Sequence, residues 1–325
     1  MKKHFKKLLL MALMAVMAVG LIACGTDKSD NESTKEEKTS VTITSLDSSK
    51  NEIELEVPYN PKRIAILDLA SLDIIDELGV GDRVVGMAST SIDYLEKYSN
   101  DASIKNLGTI KEADLEAVME CEPDIIFIGG RLSKSYDALS EIAPVVYLAT
   151  DTNEGLVNSV SKNAKTIASI FGMEDKVDSL MSDFGARIDA IKKISSGNTA
   201  LVGMTTSGSF NLLGNDGRCS LIGVEAGFNN LTAAGSTSTH GNETSFETVV
   251  KQNPDYIFVM DRDSAISTAG AKNAKEIVEN ELVKTTDAYK NNHIIYLEHS
   301  NVWYTAEGGI QALDIMLTDL EKGLK

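Results

Sequence analysis

Asp114-Leu115-Glu116-Ala117-Val118, followed by Pro123-Asp124-Ile125-Ile126-Phe127, recurs as Ser245-Phe246-Glu247-Thr248-Val249, followed by Pro254-Asp255-Tyr256-Ile257-Phe258. Every matched pair is separated by the same 131 positions, and the register runs on without a gap to Arg131 and Arg262. Each unit opens on Asp114 or Ser245, residue types whose side-chain oxygen accepts an otherwise unpaired amide at a helix start. About two helical turns follow. A proline then ends the helix, and a short apolar run reads as a buried strand. One such helix–strand element in each half implies two α/β lobes.

The flanking segments fit this plan. Ile64-Ala65-Ile66-Leu67 reads as a first buried strand after the Pro61 break, and Ser71 to Leu78 as the helix after it, with Gly79 at its C-terminal end. Val145 to Leu148 is another strand, and Ala200 to Met204 opens the second lobe in the same way. Gly79-Val80-Gly81 follows a helix, the wrong context for a dinucleotide loop. Between the lobes, Val177, Leu180, Met181, Phe184, Ile188 and Ile191 keep helical spacing. The expected architecture is therefore α/β: two Rossmann-like lobes with mainly parallel sheets, 41–170 and 198–325, joined by one long α-helix within 171–197, with a ligand cleft between them. Such a connection is rigid, so only slight closure on a ligand is expected.

The N-terminus bears on the compartment. Lys2, Lys3, Lys6 and Lys7 precede an apolar run from Leu8 to Ala23 that is short for a membrane span. Leu21-Ile22-Ala23-Cys24 resembles the lipobox of bacterial lipoproteins, which implies a cleaved signal peptide, 1–23, and a lipid on Cys24. Residues 24–40 are almost all polar and read as a flexible tether. Cleavage removes four lysines and no acid, taking the formal net charge from −17 to −21. So acidic a chain is a poor partner for nucleic acid or anionic lipid. A monomer is expected, on the extracytoplasmic face of the membrane and held there by its lipid alone. Cys121 and Cys219 are too few to form a disulfide framework and are expected as buried, unpaired thiols.

Ligands of open α/β sheets bind beyond the carboxyl ends of the strands. The repeat places Arg131 and Arg262 there, one in each lobe, facing across a cleft. Arg218 follows the strand-like Phe210 to Leu213 and reaches toward the same space. Three guanidinium groups call for an anionic guest, to which each donates charge-assisted hydrogen bonds. The alternative is that they pair with Asp261, Asp263 or Asp216. His240 lies in a Ser, Thr and Gly-rich loop, and Tyr304 follows Trp303; both are either ligand contacts or wall residues. His293 and His299 flank a strand and receive no role. Glu116 and Glu247 sit in the first turns of equivalent helices, where a carboxylate is favourable with or without a partner. There is no nucleophile elbow, phosphate loop or catalytic cluster, so an enzyme is not expected. A bare zinc or manganese site would need more histidines.

Gly130 to Tyr136, Glu141-Ile142-Ala143-Pro144, Thr239-His240-Gly241, Asn253 to Phe258, Asp261-Arg262 and Trp303-Tyr304 together carry a family resemblance. The chain resembles the helix-linked (class III, cluster A) substrate-binding proteins of bacterial ABC importers for ferric siderophores, cobalamin and haem. It looks most like their ferric catecholate binders, such as those for petrobactin. The resemblance implies capture of a ferric catecholate siderophore and its delivery to importer permease subunits, with no permanently bound cofactor. It assigns ligand contact to Arg131, Arg218, Arg262, His240, Tyr304 and Trp303. Iron(III) seeks six ligands and a two-catechol siderophore supplies four, so His240 and Tyr304 would complete the metal's octahedron. Glu116 and Glu247 would dock on the permease. A ferric hydroxamate, haem or cobalamin is the alternative ligand.

Overall fold

In the computed structural model, which describes residues 38–234 and 236–325, a hairpin of β1 (Ser40–Leu46) and β2 (Glu52–Pro58) leads into the first lobe. The expected signal peptide, Cys24 and most of the tether lie outside the described residues. Alternating apolar and polar positions suit a hairpin with one covered face. Ser45 ties it to the sheet behind, its hydroxyl accepting from the Tyr147 amide at 3.0 Å.

The first lobe continues through β3 (Ile64–Leu67), α1 (Leu69–Glu77), β4 (Val84–Met87), α2 (Glu96–Ser99) and β5 (Lys105–Asn106). A two-residue hairpin follows, β6 (Gly108–Thr109) with β7 (Glu112–Ala113). Then come α3 (Leu115–Glu120), β8 (Ile125–Ile128), α4 (Tyr136–Ser140), β9 (Val145–Tyr147) and α5 (Leu156–Phe171). The sheet is wholly parallel, in the order β5-β4-β3-β8-β9. Every residue of β3 and β8 is buried, as strands covered on both faces require. The chain winds away from β3 in opposite directions to β4 and β8, so a crevice opens at their carboxyl ends. Asp68 follows β3 there, and Gly129-Gly130-Arg131 follows β8.

The expected single helix within 171–197 is two, α6 (Glu174–Leu180) and α7 (Phe184–Ser195). At the break the Ser182 amide reaches the Ser179 carbonyl three residues back, and the Ser182 hydroxyl donates to the same oxygen at 2.9 Å. A serine hydroxyl that competes for a backbone carbonyl weakens a helix, and Gly185, just beyond, is a poor helix former. The apolar spacing persists across the break because Val177, Phe184, Ile188 and Ile191 all reach the core. The long helix of this region is instead α5, which ends on Gly172 at φ 67°.

The second lobe contains β10 (Thr199–Thr206), β11 (Ser209–Leu212), α8 (Ser220–Gly223), β12 (Asn229–Asn230), β13 (Asn242–Glu243), α9 (Phe246–Gln252) and β14 (Tyr256–Asp261). After these come α10 (Arg262–Ala265), α11 (Ala274–Val278), α12 (Asp287–Lys290), β15 (Ile294–Tyr296), α13 (Ser300–Thr305) and α14 (Ile310–Gly323). β12, β10, β14 and β15 run parallel, while β11 and β13 join antiparallel. α14 returns to pack on α1 of the first lobe. Asp73 of α1, wholly buried, accepts the Ile310, Gln311 and Ala312 amides at 2.8, 3.0 and 2.9 Å. A carboxylate at a helix N-terminus is well placed for both the unpaired amides and the helix dipole. This contact, between residues more than 230 positions apart, ties the last helix of the chain to the first lobe.

Candidate functional site

A cleft of about 740 Å³ opens beyond the carboxyl ends of β3, β8 and β9, and its far wall is built by 216–218 and 304–308. Tyr304, on α13, is where arginines of both lobes come together. Its ring centroid lies 4.5 Å from the Arg218 guanidinium carbon, 5.5 Å from that of Arg131 and 5.6 Å from that of Arg262. Arg262 Nε donates to the Tyr304 hydroxyl at 3.2 Å, and Arg131 Nη2 donates to the Tyr304 carbonyl at 3.0 Å. The three arginines expected from the sequence therefore converge on one phenol. Burial by itself would raise the pKa of Tyr304. The Arg262 hydrogen bond and the charges of Arg218, Arg262 and Arg131 outweigh it and hold the hydroxyl below its ordinary range. Arg131 is in turn made easier to deprotonate by burial and by the neighbouring charge of Arg218. Like charges gathered in a partly desolvated cleft favour an anion between them.

The carboxylate-pairing alternative holds for one arginine of the three. Arg262 Nη1 lies 3.2 Å from Asp263 Oδ1, and the Asp263 side chain is 5% exposed. Asp216 instead accepts the Thr237 amide, and Asp261 accepts the Ser264 and Ala274 amides. Among the described residues neither Arg131 nor Arg218 has a carboxylate at ion-pair distance, so their charge faces the cleft.

His240 is on an exposed loop that Arg218 and Asn211 hold in place: Arg218 Nη1 donates to the Thr239 carbonyl at 3.0 Å, and Asn211 Nδ2 to the His240 carbonyl at 2.8 Å. Burial and the charges of Arg262, Arg218, Lys111 and Arg131 lower its proton affinity, so the imidazole keeps a lone pair at neutral pH. Among the described residues its ring makes no hydrogen bond. Trp303 departs from expectation. It is 0% exposed, and its indole N–H donates to Asp319 of α14 at 2.9 Å. Successive residues on a helix point about 100° apart, so Tyr304 faces the cleft and Trp303 the core. Asp319 also accepts from the His299 amide and bonds the His299 ring, so this carboxylate is fully used inside the fold.

Glu116 and Glu247 are exposed in the first turns of α3 and α9, behind the Asp114 and Ser245 caps. Leu115 and Met119, beside Glu116, are 39% and 60% exposed. Cys121 and Cys219 are unpaired and buried. Among the cleft residues that were not anticipated are the carboxylates Asp68 and Glu307. Asp68 could have been read from its place directly after a buried strand. Glu307, ahead of Gly308-Gly309, carries no local signal.

Residues 64–300 match the sequence family described as periplasmic binding protein. The petrobactin-binding protein YclQ of Bacillus subtilis is 36% identical over 330 residues, covering 98% of this chain and 99% of its own. The ferric-anguibactin-binding protein FatB of Vibrio anguillarum is 26% identical, over 82% of this chain and 84% of its own. The crystal structure of YclQ superposes with a TM-score of 0.80 over 88% of this chain and 99% of that one. That of the periplasmic catecholate-siderophore binding protein VctP from Vibrio cholerae does so with a TM-score of 0.78 at 31% identity, over 87% and 100%.

Proposed function

The chain belongs to the periplasmic binding protein family, and from that premise we propose that it captures a ferric siderophore of the catecholate class and hands it to an ABC importer. The family is one of binding proteins, not of enzymes, and the ferric siderophore is the passing ligand of a protein with no resident cofactor. The observation that carries the catecholate reading is the phenol of Tyr304 set among three guanidinium groups, two of them without a carboxylate partner among the described residues. Deprotonated catechol oxygens leave negative charge on the iron complex, and arginine meets such oxygens with directed donors. Where the siderophore supplies four oxygens, Tyr304 oxygen and His240 nitrogen are the groups we assign to the two remaining iron positions. Iron(III) binds a phenolate oxygen and a neutral imidazole nitrogen, and the arginine charges around Tyr304 and His240 favour loss of the proton at both. We assign lipid anchoring to Cys24, permease docking to Glu116 and Glu247, and a monomeric state to the carrier.

Equilibrium titration separates the ligand classes. The chain has a single tryptophan, Trp303, whose emission can report binding. Ferric catecholate is expected to bind more tightly than ferric hydroxamate, haemin or cyanocobalamin. Tightest binding of any of the other three would replace the catecholate reading.

A further inference from the structure

We propose that Asn211, a buried residue of β11, is the positioning residue for His240: its side-chain amide holds the loop so that the imidazole meets an open iron position of a tetradentate ferric catecholate. This deepens the reading above and rests on His240 as an iron ligand.

Asn211 departs from what its place in the fold asks for. Phe210, Leu212 and Leu213 around it are apolar and buried, as expected of a strand packed into a lobe. Asparagine is a poor strand former, and here it is only 7% exposed. Its Nδ2 donates to the His240 carbonyl at 2.8 Å, whereas Oδ1 is buried and has no partner among the described residues. The sense of the amide is fixed, because a carbonyl oxygen accepts only from an N–H. An apolar side chain would fill this site without stranding an oxygen, so stability does not call for asparagine. Residues that break local rules at a cost in stability mark functional positions. Among the described residues the bond to His240 is the only hydrogen bond this side chain makes, so it is the interaction for which the residue is kept.

The loop that receives this bond is anchored through its main chain and leaves its imidazole bare. Thr237 Oγ1 accepts the Gly214 amide at 2.9 Å, and the Thr237 amide donates to Asp216 at 2.8 Å. Arg218 holds the Thr239 carbonyl. Gly241 follows His240 at φ 75°, and a Cβ there would lie 2.8 Å from that of Asn211. The main chain just after the His240 Cα is therefore pressed against the residue that also bonds its carbonyl. All of these anchors lie within 211–218, the segment that carries Arg218 over the Tyr304 ring. Loss of the Asn211 bond leaves the other anchors, so the imidazole is displaced while the loop stays attached. A ligating side chain works only when a supporting shell fixes its position closely.

The test compares Asn211→Val and Asn211→Ala with the parent, using a tetradentate ferric bis-catecholate and a hexadentate ferric tris-catecholate. Valine suits a strand and removes both the donor and the unpaired oxygen. Each variant is expected to weaken the tetradentate complex by roughly tenfold, as loss of an outer-shell partner does at metal sites. Its visible charge-transfer band should move to that seen with His240→Ala, and the hexadentate complex should keep parental affinity. The thermal midpoint of Asn211→Val is expected to equal or exceed the parent's, which a merely structural asparagine would not allow. Added to His240→Ala, Asn211→Val should cause no further loss. Parental tetradentate affinity and band in both variants overturns the positioning role and leaves His240 a ligand. Equal loss of the two complexes, or a full additional loss in the double variant, overturns it in the same way. An unchanged tetradentate affinity and band in His240→Ala overturns the iron-ligand reading and the role of Asn211 with it.

Discussion

At the residue scale the site turns on the company Tyr304 keeps. Tyr304→Phe removes the hydroxyl that accepts from Arg262 but keeps the ring among the guanidiniums. It is expected to weaken a tetradentate ferric catecholate by roughly tenfold, to shift its visible charge-transfer band, and to affect a hexadentate one less. Equal loss for both with an unchanged spectrum would reduce Tyr304 to a wall residue. The arginines should also divide. Arg218→Ala is expected to cost about 1–3 kcal/mol of binding with little change in thermal midpoint. Arg262→Ala should lower both, because it strands the buried Asp263 carboxylate. For Glu307 the sign of the pH effect follows from linkage. Its folded carboxyl titrates at about 7 against 4.5 for an ordinary glutamate. Between these values the folded state holds the extra proton, so this stabilisation is present at low pH and lost as pH rises through that window. The thermal midpoint of Glu307→Gln should therefore fall less than the parent's between about pH 5 and pH 8. Parallel curves for the two proteins would show that Glu307 is not the titrating group.

At the element scale, α14 is positioned by a residue of another lobe. Three of its first amides and the Tyr94 hydroxyl all end on Asp73. Asp73→Ala leaves those donors buried without acceptors and should cost about 3 kcal/mol of unfolding free energy. Urea denaturation is the measurement, with a lowered midpoint expected at unchanged slope. A loss below about 1 kcal/mol would mean that water or a local shift replaces the carboxylate. The break between α6 and α7 shows how far periodicity carries a helix assignment. The apolar stripe of 177–191 was legible because burial enforces it. The interruption was not, because a hydroxyl at Ser182 and a missing side chain at Gly185 leave the stripe unchanged.

At the scale of the whole molecule, the two exposed carboxylates argue for a carrier that presents itself to a two-part receptor. Glu116 and Glu247 occupy equivalent positions in the repeat, one in each lobe, and neither lines the cleft. An exposed ion pair is worth less than about 1 kcal/mol, so either change alone should be mild. Two contacts on one body orient as well as attract. Glu116→Lys with Glu247→Lys is expected to abolish iron uptake in cells lacking the parent protein while ferric siderophore affinity stays at the parental level. Normal uptake by the double variant would leave these glutamates as helix-terminus carboxylates and nothing more.

The repeat from Asp114 to Arg131 and from Ser245 to Arg262 determined the two α/β lobes, because strand burial and helix capping are local demands that residue type alone can meet. The same repeat put Arg131 and Arg262 beyond strand ends, where the topology of an open sheet makes a crevice. What only the tertiary structure decided depends on neighbours distant in the chain. Trp303 turned out to be core and Tyr304 cleft, although they are adjacent, because α14 brings Asp319 to the indole. Arg262 shares its charge with Asp263 while Arg131 and Arg218 do not, a distinction of side-chain geometry that composition leaves open. Glu307 became part of the cleft because Gly308 allows its turn to lie against Ala70 and Thr150, residues more than 150 positions away. Local propensity reaches a few residues along the chain, and the environment that sets a carboxyl's charge is assembled only when distant segments close around it.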